Sequence, residues 1–205
     1  MVGGLVGIAA AAAWALPPEA DHQRGLEAFQ RGDVATAMKL LRPPAAAGHA
    51  ASQALLGELL ERADFAPEAA RLYASAAAQG HAGAQAALAA MLLEGRGVAK
   101  DEKQALVQFS KAAEQGHAGA ARVLAEAQIK GTLGLGATGP ANARAVDDLR
   151  RAADLGHAGA AEALARAWRE GLYGLTPDPA QSARWSARAV ALRPVVAAAK
   201  PGARP

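Results

Sequence analysis

The sequence predicts an all-α protein built from stacked antiparallel helix pairs, and three observations carry that expectation. Alanine dominates the apolar half of the composition, and aromatic residues make up 4% of the 205-residue chain. Alanine is the strongest helix former, whereas strands favour β-branched and aromatic side chains. A short phrase also recurs: GHAGA begins at Gly80, Gly116 and Gly156, and GHAAS at Gly48. The steps between these glycines are 32, 36 and 40 residues, a period that marks a repeat array. Between the phrases, apolar residues recur at helical spacing. A core of small side chains requires helices that pack closely.

The chain starts with an apolar run from Val2 to Leu16, followed by two prolines and polar residues. That run is shorter than the ~20 residues a membrane-spanning helix needs. Ala13-Trp14-Ala15 supplies the small-x-small pattern of a secretory cleavage site. Residues 1–20 are therefore expected to be a signal peptide, cleaved near Ala15, and a short linker. No Lys or Arg precedes the run. An uncleaved N-terminal anchor, a misplaced start and a cytosolic extension are the alternatives. The expected location is periplasmic or secreted, with cytoplasmic as the alternative.

Residues 21–192 are expected to form one solenoid of five units, 21–47, 48–79, 80–115, 116–155 and 156–192. In the first, Asp33 and Ala37 stand where Asp101 and Ala105 stand two units later, and Pro43 and Pro44 should shorten or bend its second helix. The third unit is the cleanest. Ala84, Leu88, Met91 and Leu92 mark one helical face, GRGVAKD breaks the helix, and Ala105, Leu106, Phe109, Ala112 and Ala113 mark a second. Gly116 should end that helix in the left-handed conformation. The unequal steps fall in the loop inside each unit, ADFAP in the second and GTLGLGATGPAN in the fourth. Loops absorb such changes because their closure cost grows slowly with length. No single hairpin can bury both apolar faces, so neighbours must stack. Residues 193–205 are expected to be a flexible tail.

The segment AGAQAALAAMLLEGRGVAKDEKQALVQFSKAAEQGHAGA resembles the Sel1-like repeat, a branch of the tetratricopeptide superfamily. Gly80-His81-Ala82, Gly95-x-Gly97-Val98, Asp101, Ala105, Phe109 and Lys111-Ala112-Ala113 match its pattern, and Gly57 and Trp185 fall on its usual glycine and tryptophan positions. Ala89 and Ala125 replace that glycine, and Leu92 and Gln128 replace its usual tyrosine. The resemblance implies a right-handed α-solenoid of stacked antiparallel helix pairs that serves as an adaptor for other proteins.

Catalytic, cofactor and metal sites are not expected. Equivalent histidines on stacked repeats should lie about 10 Å apart, so three cannot meet on one zinc ion. With no cysteine to complete a ligand set, Gly48-His49, Gly80-His81, Gly116-His117 and Gly156-His157 are assigned to the turns between units. There a ring nitrogen can bond a backbone group left open at a helix end. GLGATG, Gly134 to Gly139, satisfies G-x-G-x-x-G literally but follows a helix rather than a strand, so it is a loop and not a dinucleotide motif. No serine has a histidine and an acid in a persuasive local setting. A net charge of +3 with interleaved signs, and no basic block, excludes nucleic acid as the expected partner.

The candidate partner surface is a pair of polar columns on the first helices. One column holds Glu58, Ala90, Glu126 and Arg166; the other, one turn further, holds Arg62, Glu94, Lys130 and Glu170. Glu58–Arg62, Glu126–Lys130 and Arg166–Glu170 should be i,i+4 ion pairs, each adding roughly 0.2–0.5 kcal/mol. The function expected is a non-catalytic scaffold of the bacterial cell envelope that binds a protein or peptide, with no membrane span in the mature chain. The alternatives are an envelope hydrolase or penicillin-binding protein like the cysteine-rich relatives of the repeat family, and a periplasmic regulator of a membrane sensor.

Overall fold

The computed structural model describes residues 18–135 and 142–193, and among them the chain forms ten α-helices and no strand. The cleavage site, most of the Gly134–Gly139 motif and the C-terminal tail lie outside the described residues. The helices are α1 (Pro18–Gln30), α2 (Val34–Ala46), α3 (Ala50–Arg62), α4 (Ala66–Ala78), α5 (Ala82–Glu94), α6 (Glu102–Glu114), α7 (Ala118–Lys130), α8 (Asn142–Asp154), α9 (Ala158–Glu170) and α10 (Pro179–Leu192). A 3-10 turn, Leu172–Gly174, leads into α10. The fold is an all-α solenoid of helix pairs, and its contacts group into two compact units, Met1–Asp101 and Glu102–Pro205.

In the first unit α1 pairs with α2, α2 packs on α3, α3 pairs with α4, and α4 packs on α5. Both pairs use the same device. A Cβ on Gly25 would lie 2.7 Å from Leu41 Cγ, and one on Gly57 would lie 2.9 Å from Tyr73 Cε1. A missing side chain on the first helix thus receives a large one from the second. Buried amides then fasten one pair to the next: Gln53 Nε2 donates to the Ala45 carbonyl at 3.0 Å, and Gln85 Nε2 to the Ala77 carbonyl at 3.3 Å. Pro43 and Pro44 do not shorten α2, which has 13 residues like α3 and α4. They sit in its last turn, where each withholds one N–H from the carbonyl four residues back, but the helix has only two residues further to run. Their carbonyls still accept from Ala47 N at 3.0 Å and His49 N at 2.9 Å.

In the second unit α6 packs on α7, α7 on α8, α8 on α9, and α9 pairs with α10. The glutamine positions are taken by Ala121 and Ala161, both buried. Ser182 Oγ instead fixes α10 to α9 by donating to the Ala165 carbonyl at 2.9 Å. Asp178 caps α10 by accepting from Ala180 N and Gln181 N at 2.8 and 3.1 Å.

Each repeated phrase is a stop followed by a start. Gly48, Gly80, Gly116 and Gly156 have φ of 91°, 87°, 85° and 96°, the left-handed conformation that ends a helix cheaply only with glycine. The next residue is the N-cap of the following helix. The Nδ1 atoms of His49, His81, His117 and His157 accept from the backbone N–H three residues on, at 3.3, 3.2, 3.1 and 2.9 Å. This is the job usually done by Ser, Thr, Asp or Asn. It requires an Nδ1 without a proton, so each of these rings, when neutral, carries its hydrogen on Nε2.

Two measurements follow. His117→Ala should lower unfolding stability by about 0.5–2 kcal/mol, and His117→Asn should restore most of it, because Asn supplies a capping oxygen; denaturant unfolding reads both. Gly97 has φ 68°, and a Cβ there would lie 2.4 Å from the backbone carbon of Ala66. Nothing lies within 4 Å of a Cβ on Gly80. Gly97→Ala should therefore cost clearly more than Gly80→Ala, whose backbone penalty alone is about 1 kcal/mol.

Candidate functional site

The predicted polar columns are exposed or half-buried, and the structure joins Glu58 with Arg62, Glu126 with Lys130 and Arg166 with Glu170 as ion pairs. In the first unit Arg62 Nη2 lies 2.5 Å from Glu58 Oε1, and its guanidinium carbon sits 5.3 Å from the centre of the Phe29 ring. Glu94 is joined to Arg96 at 3.3 Å, and Arg96 also pairs with Glu61. Glu61 in turn accepts from the Tyr73 hydroxyl at 2.8 Å. Burial, with the Glu58 carboxylate adding to it, pushes the Tyr73 phenol up to about 12, so it stays a neutral donor at physiological pH.

In the second unit Glu126 is a hub, with Arg122 at 3.1 Å, Lys130 at 3.7 Å and His157 Nε2 at 3.7 Å. Arg166 Nε pairs with Glu170 at 3.0 Å. That hydrogen bond holds the Glu170 carboxyl below the usual carboxylate range. Exposed pairs of this kind contribute about 0–1 kcal/mol each and are readily exchanged for a partner's charges.

Beside the columns of the second unit lies a recess of about 210 Å³ lined by Ile129, Glu162, Ala163, Arg166, Leu172 and Tyr173. Ile129 is 46% exposed there, an apolar side chain flanked by charge. Its wall is a turn that the composition did not reveal. After α7 and after α9 the chain runs GTLGL and GLYGL, and Leu133 and Tyr173 take φ of 57° and 55°. Such conformations cost non-glycine residues about 1–3 kcal/mol. At Tyr173 burial of the ring offsets that cost. The signal was legible as a second, five-residue internal repeat offset from the histidine phrase.

The position eleven residues after each capping histidine is taken by Leu60, Leu92, Gln128 and Trp168. Gln128 is 2% exposed, and neither its Oε1 nor its Nε2 has a hydrogen-bond partner; Trp168 Nε1 is also buried and unpartnered. A buried amide left unsatisfied costs about 1–3 kcal/mol. Asp148, buried beside Arg151 at 3.4 Å, has its carboxyl pushed up by that burial.

The first unit also brings together groups that the sequence had not joined. Ser52 Oγ lies 2.8 Å from His49 Nδ1, and His49 Nε2 lies 3.1 Å from Glu19 Oε2. The order serine, imidazole, carboxylate is that of a hydrolase triad. Ser52 is 0% exposed, however, and its hydroxyl is shared with a second imidazole, His22, at 3.1 Å. A nucleophile must reach a substrate carbonyl, and this one is sealed between helices. Among the described residues no group of three metal-ligating side chains converges, and no helix is long and apolar enough to cross a membrane.

Gln128→Leu, which restores the residue type of Leu60 and Leu92, should stabilise the protein by about 1–2 kcal/mol. A rise in melting temperature tests this; a fall would mean that the amide has a polar partner in solution.

No protein-family model matches the sequence, and no curated protein matches it. Solved structures do. A Sel1 repeat protein from Oxalobacter formigenes superposes with a TM-score of 0.67 at 27% identity, covering 83% of this chain and 68% of its own. A protective antigen of uropathogenic Escherichia coli with an SLR fold superposes at 0.68 and 25% identity over 85% of this chain, which spans 38% of the antigen's length. A protein from Klebsiella pneumoniae, at 20% identity and a TM-score of 0.53 over 85% of this chain and 86% of its own, bears on the fold alone. The Gly-His caps, the paired helices and these structural relatives together support the assignment of the chain as a Sel1-like repeat protein.

Proposed function

We propose that the protein is a non-catalytic interaction scaffold of the bacterial cell envelope, holding a protein or peptide partner on the first-helix surface of its repeats. Sel1 repeat proteins are generally protein-interaction scaffolds, and this chain carries that repeat. One observation supports the reading above others: the Ile129–Tyr173 recess, whose lining includes Glu162 and Arg166, the latter paired with Glu170. An exposed isoleucine beside exchangeable ion pairs suits an extended segment with an apolar anchor and charged flanks. The surface rests on helices, so little ordering entropy is lost when a partner docks. Arg62, Glu58 and Glu94 extend the same column chemistry within the first unit. The apolar run Val2–Leu16 with its Ala13-Trp14-Ala15 site supports export.

The test uses photo-crosslinking residues placed at 126 and 166 in cells, followed by identification of the captured protein. Capture should fall at least about tenfold when Glu126→Lys and Arg166→Glu are combined with crosslinkers at neighbouring positions, while the melting temperature stays within a few degrees. Unchanged capture by the charge-reversed protein would remove this surface from the function. An intact Met1 on the mature protein, read by mass spectrometry, would remove the cleaved-signal assignment.

A further inference from the structure

We propose that the first helix is held by a proton-operated latch, in which the Glu19–His49–Ser52–His22 cluster fastens α1 to the start of α3 near neutral pH and releases it on acidification. The hydrogen-bond geometry fixes the protonation pattern. Ser52 N–H donates to His49 Nδ1 at 3.3 Å, so that nitrogen is bare. His49 Nε2 then carries the proton and donates to Glu19 Oε2 at 3.1 Å. The Ser52 hydroxyl, 2.8 Å from the same bare Nδ1, donates to it. Its oxygen is left to accept from His22 Nδ1–H at 3.1 Å. Every proton is used once, and both rings are neutral.

Charging either ring works against this arrangement, by a broken bond at His49 and by burial and like charge at His22. A proton added to His49 goes on Nδ1, where it meets the Ser52 N–H and hydroxyl, and the cap of α3 is lost with the serine bridge. A proton added to His22 places a charge on a half-buried ring whose centre is 5.0 Å from that of His49. The charged and titratable groups facing the pair are few. Glu19 on α1 favours the cation, but its side chain is 75% exposed and therefore screened. Asp21 on α1 is engaged by Arg24 at 3.4 Å. His81, at the cap of α5, adds a further like charge when protonated. Burial, then His49, holds the His22 ring below its ordinary value of 6.5, with Glu19 opposing and His81 reinforcing.

The sign follows from linkage. A histidine whose folded value is lowered contributes stability that is complete above its unfolded value and is lost as pH falls through the folded one. The window therefore lies below about pH 6.5. The arrangement is confined to α1, because Ala84, Ala120 and Ala160 stand where Ser52 stands and offer no hydroxyl to bridge a second ring. Direct contact between α1 and α3 is also sparse compared with that of α1 and α2, so a few hydrogen bonds decide whether that seam stays closed.

Hydrogen exchange of the full chain between pH 7.5 and 5, corrected for intrinsic rates, tests the latch. Protection of peptides from α1 and the first turn of α3 should fall by about tenfold or more across this range, and by clearly more than that of α7, whose cap has one imidazole. His22→Gln keeps an N–H for Ser52 but cannot be protonated, and with His49→Asn it should abolish the excess loss. His117→Asn should leave it in place. NMR titration of the wild-type imidazoles supplies the result independently of variant folding: His22 should titrate below a free histidine and together with the loss of α1 protection. Equal pH response in α1 and α7, or an excess loss that persists in the doubly substituted protein, would overturn the proposal, as would His22 titrating as a free, exposed ring.

Discussion

The bare Nδ1 of a histidine is the contact on which the repeat turns. Helices α3, α5, α7 and α9 each begin at such a nitrogen, and each is preceded by a glycine in the left-handed conformation. Together they place the end of one helix and the start of the next within two residues, which leaves no slack in the angle between pairs. Serine or aspartate would cap as well. Histidine adds a flat ring and a second nitrogen, and at His49 and His157 that nitrogen faces a glutamate of the preceding first helix, Glu19 and Glu126 respectively. One side chain thus caps its own helix and reaches back to its neighbour. Its cost is a dependence on protonation that serine would not bring.

With the turn fixed, the small-residue core follows. Alanines at zero exposure recur through both units, at Ala28, Ala37, Ala69, Ala84, Ala105, Ala120, Ala125, Ala145 and Ala160. Side chains this short carry little burial energy individually, so close approach has to be exact along the whole helix. Gly25 and Gly57 show the limiting case, where even a methyl would collide with Leu41 or Tyr73. Ala125 holds the place of Gly57 in α7. Helix length is constrained in the same way: α2 to α7 and α9 all have 13 residues, while the connecting loops vary.

Much of this was legible in the sequence because it is periodic. The phrase GHAGA announces both cap and stop, and its spacing yields the helix pairs, the i,i+4 ion pairs and the alignment of the polar columns. What was not legible is what breaks the period. Ser52 differs from Ala84, Ala120 and Ala160 by one oxygen, and its importance depends on His22, thirty residues earlier and on no repeated position. Gln53 and Gln85 look like surface residues until their amides are seen to reach carbonyls of the preceding helix. Gln128 reads as a harmless substitution in a leucine column, yet it is buried with both polar atoms unpartnered. Pro43 and Pro44 suggested a damaged helix, but they fall in its last turn, so the bonds they withhold lie at the end of α2 and leave the rest of it regular. Periodicity reports the average repeat, and function is written in departures from it.

The candidate surface illustrates the same division. Its charges are legible because they recur, and because they recur they satisfy one another: Glu58 with Arg62, Glu126 with Lys130, Arg166 with Glu170. A stripe neutralised in this way exerts little long-range pull, so charge alone would select no partner. Discrimination must come from features that occur once. Ile129 is exposed at the rim of a recess whose wall is the strained Tyr173 turn. A partner that seats an apolar group there desolvates the neighbouring Arg166–Glu170 pair and raises the energetic weight of its own matching charges. On the proposed reading, within the second unit the ion pairs would tolerate many segments, and the recess would decide which segment stays.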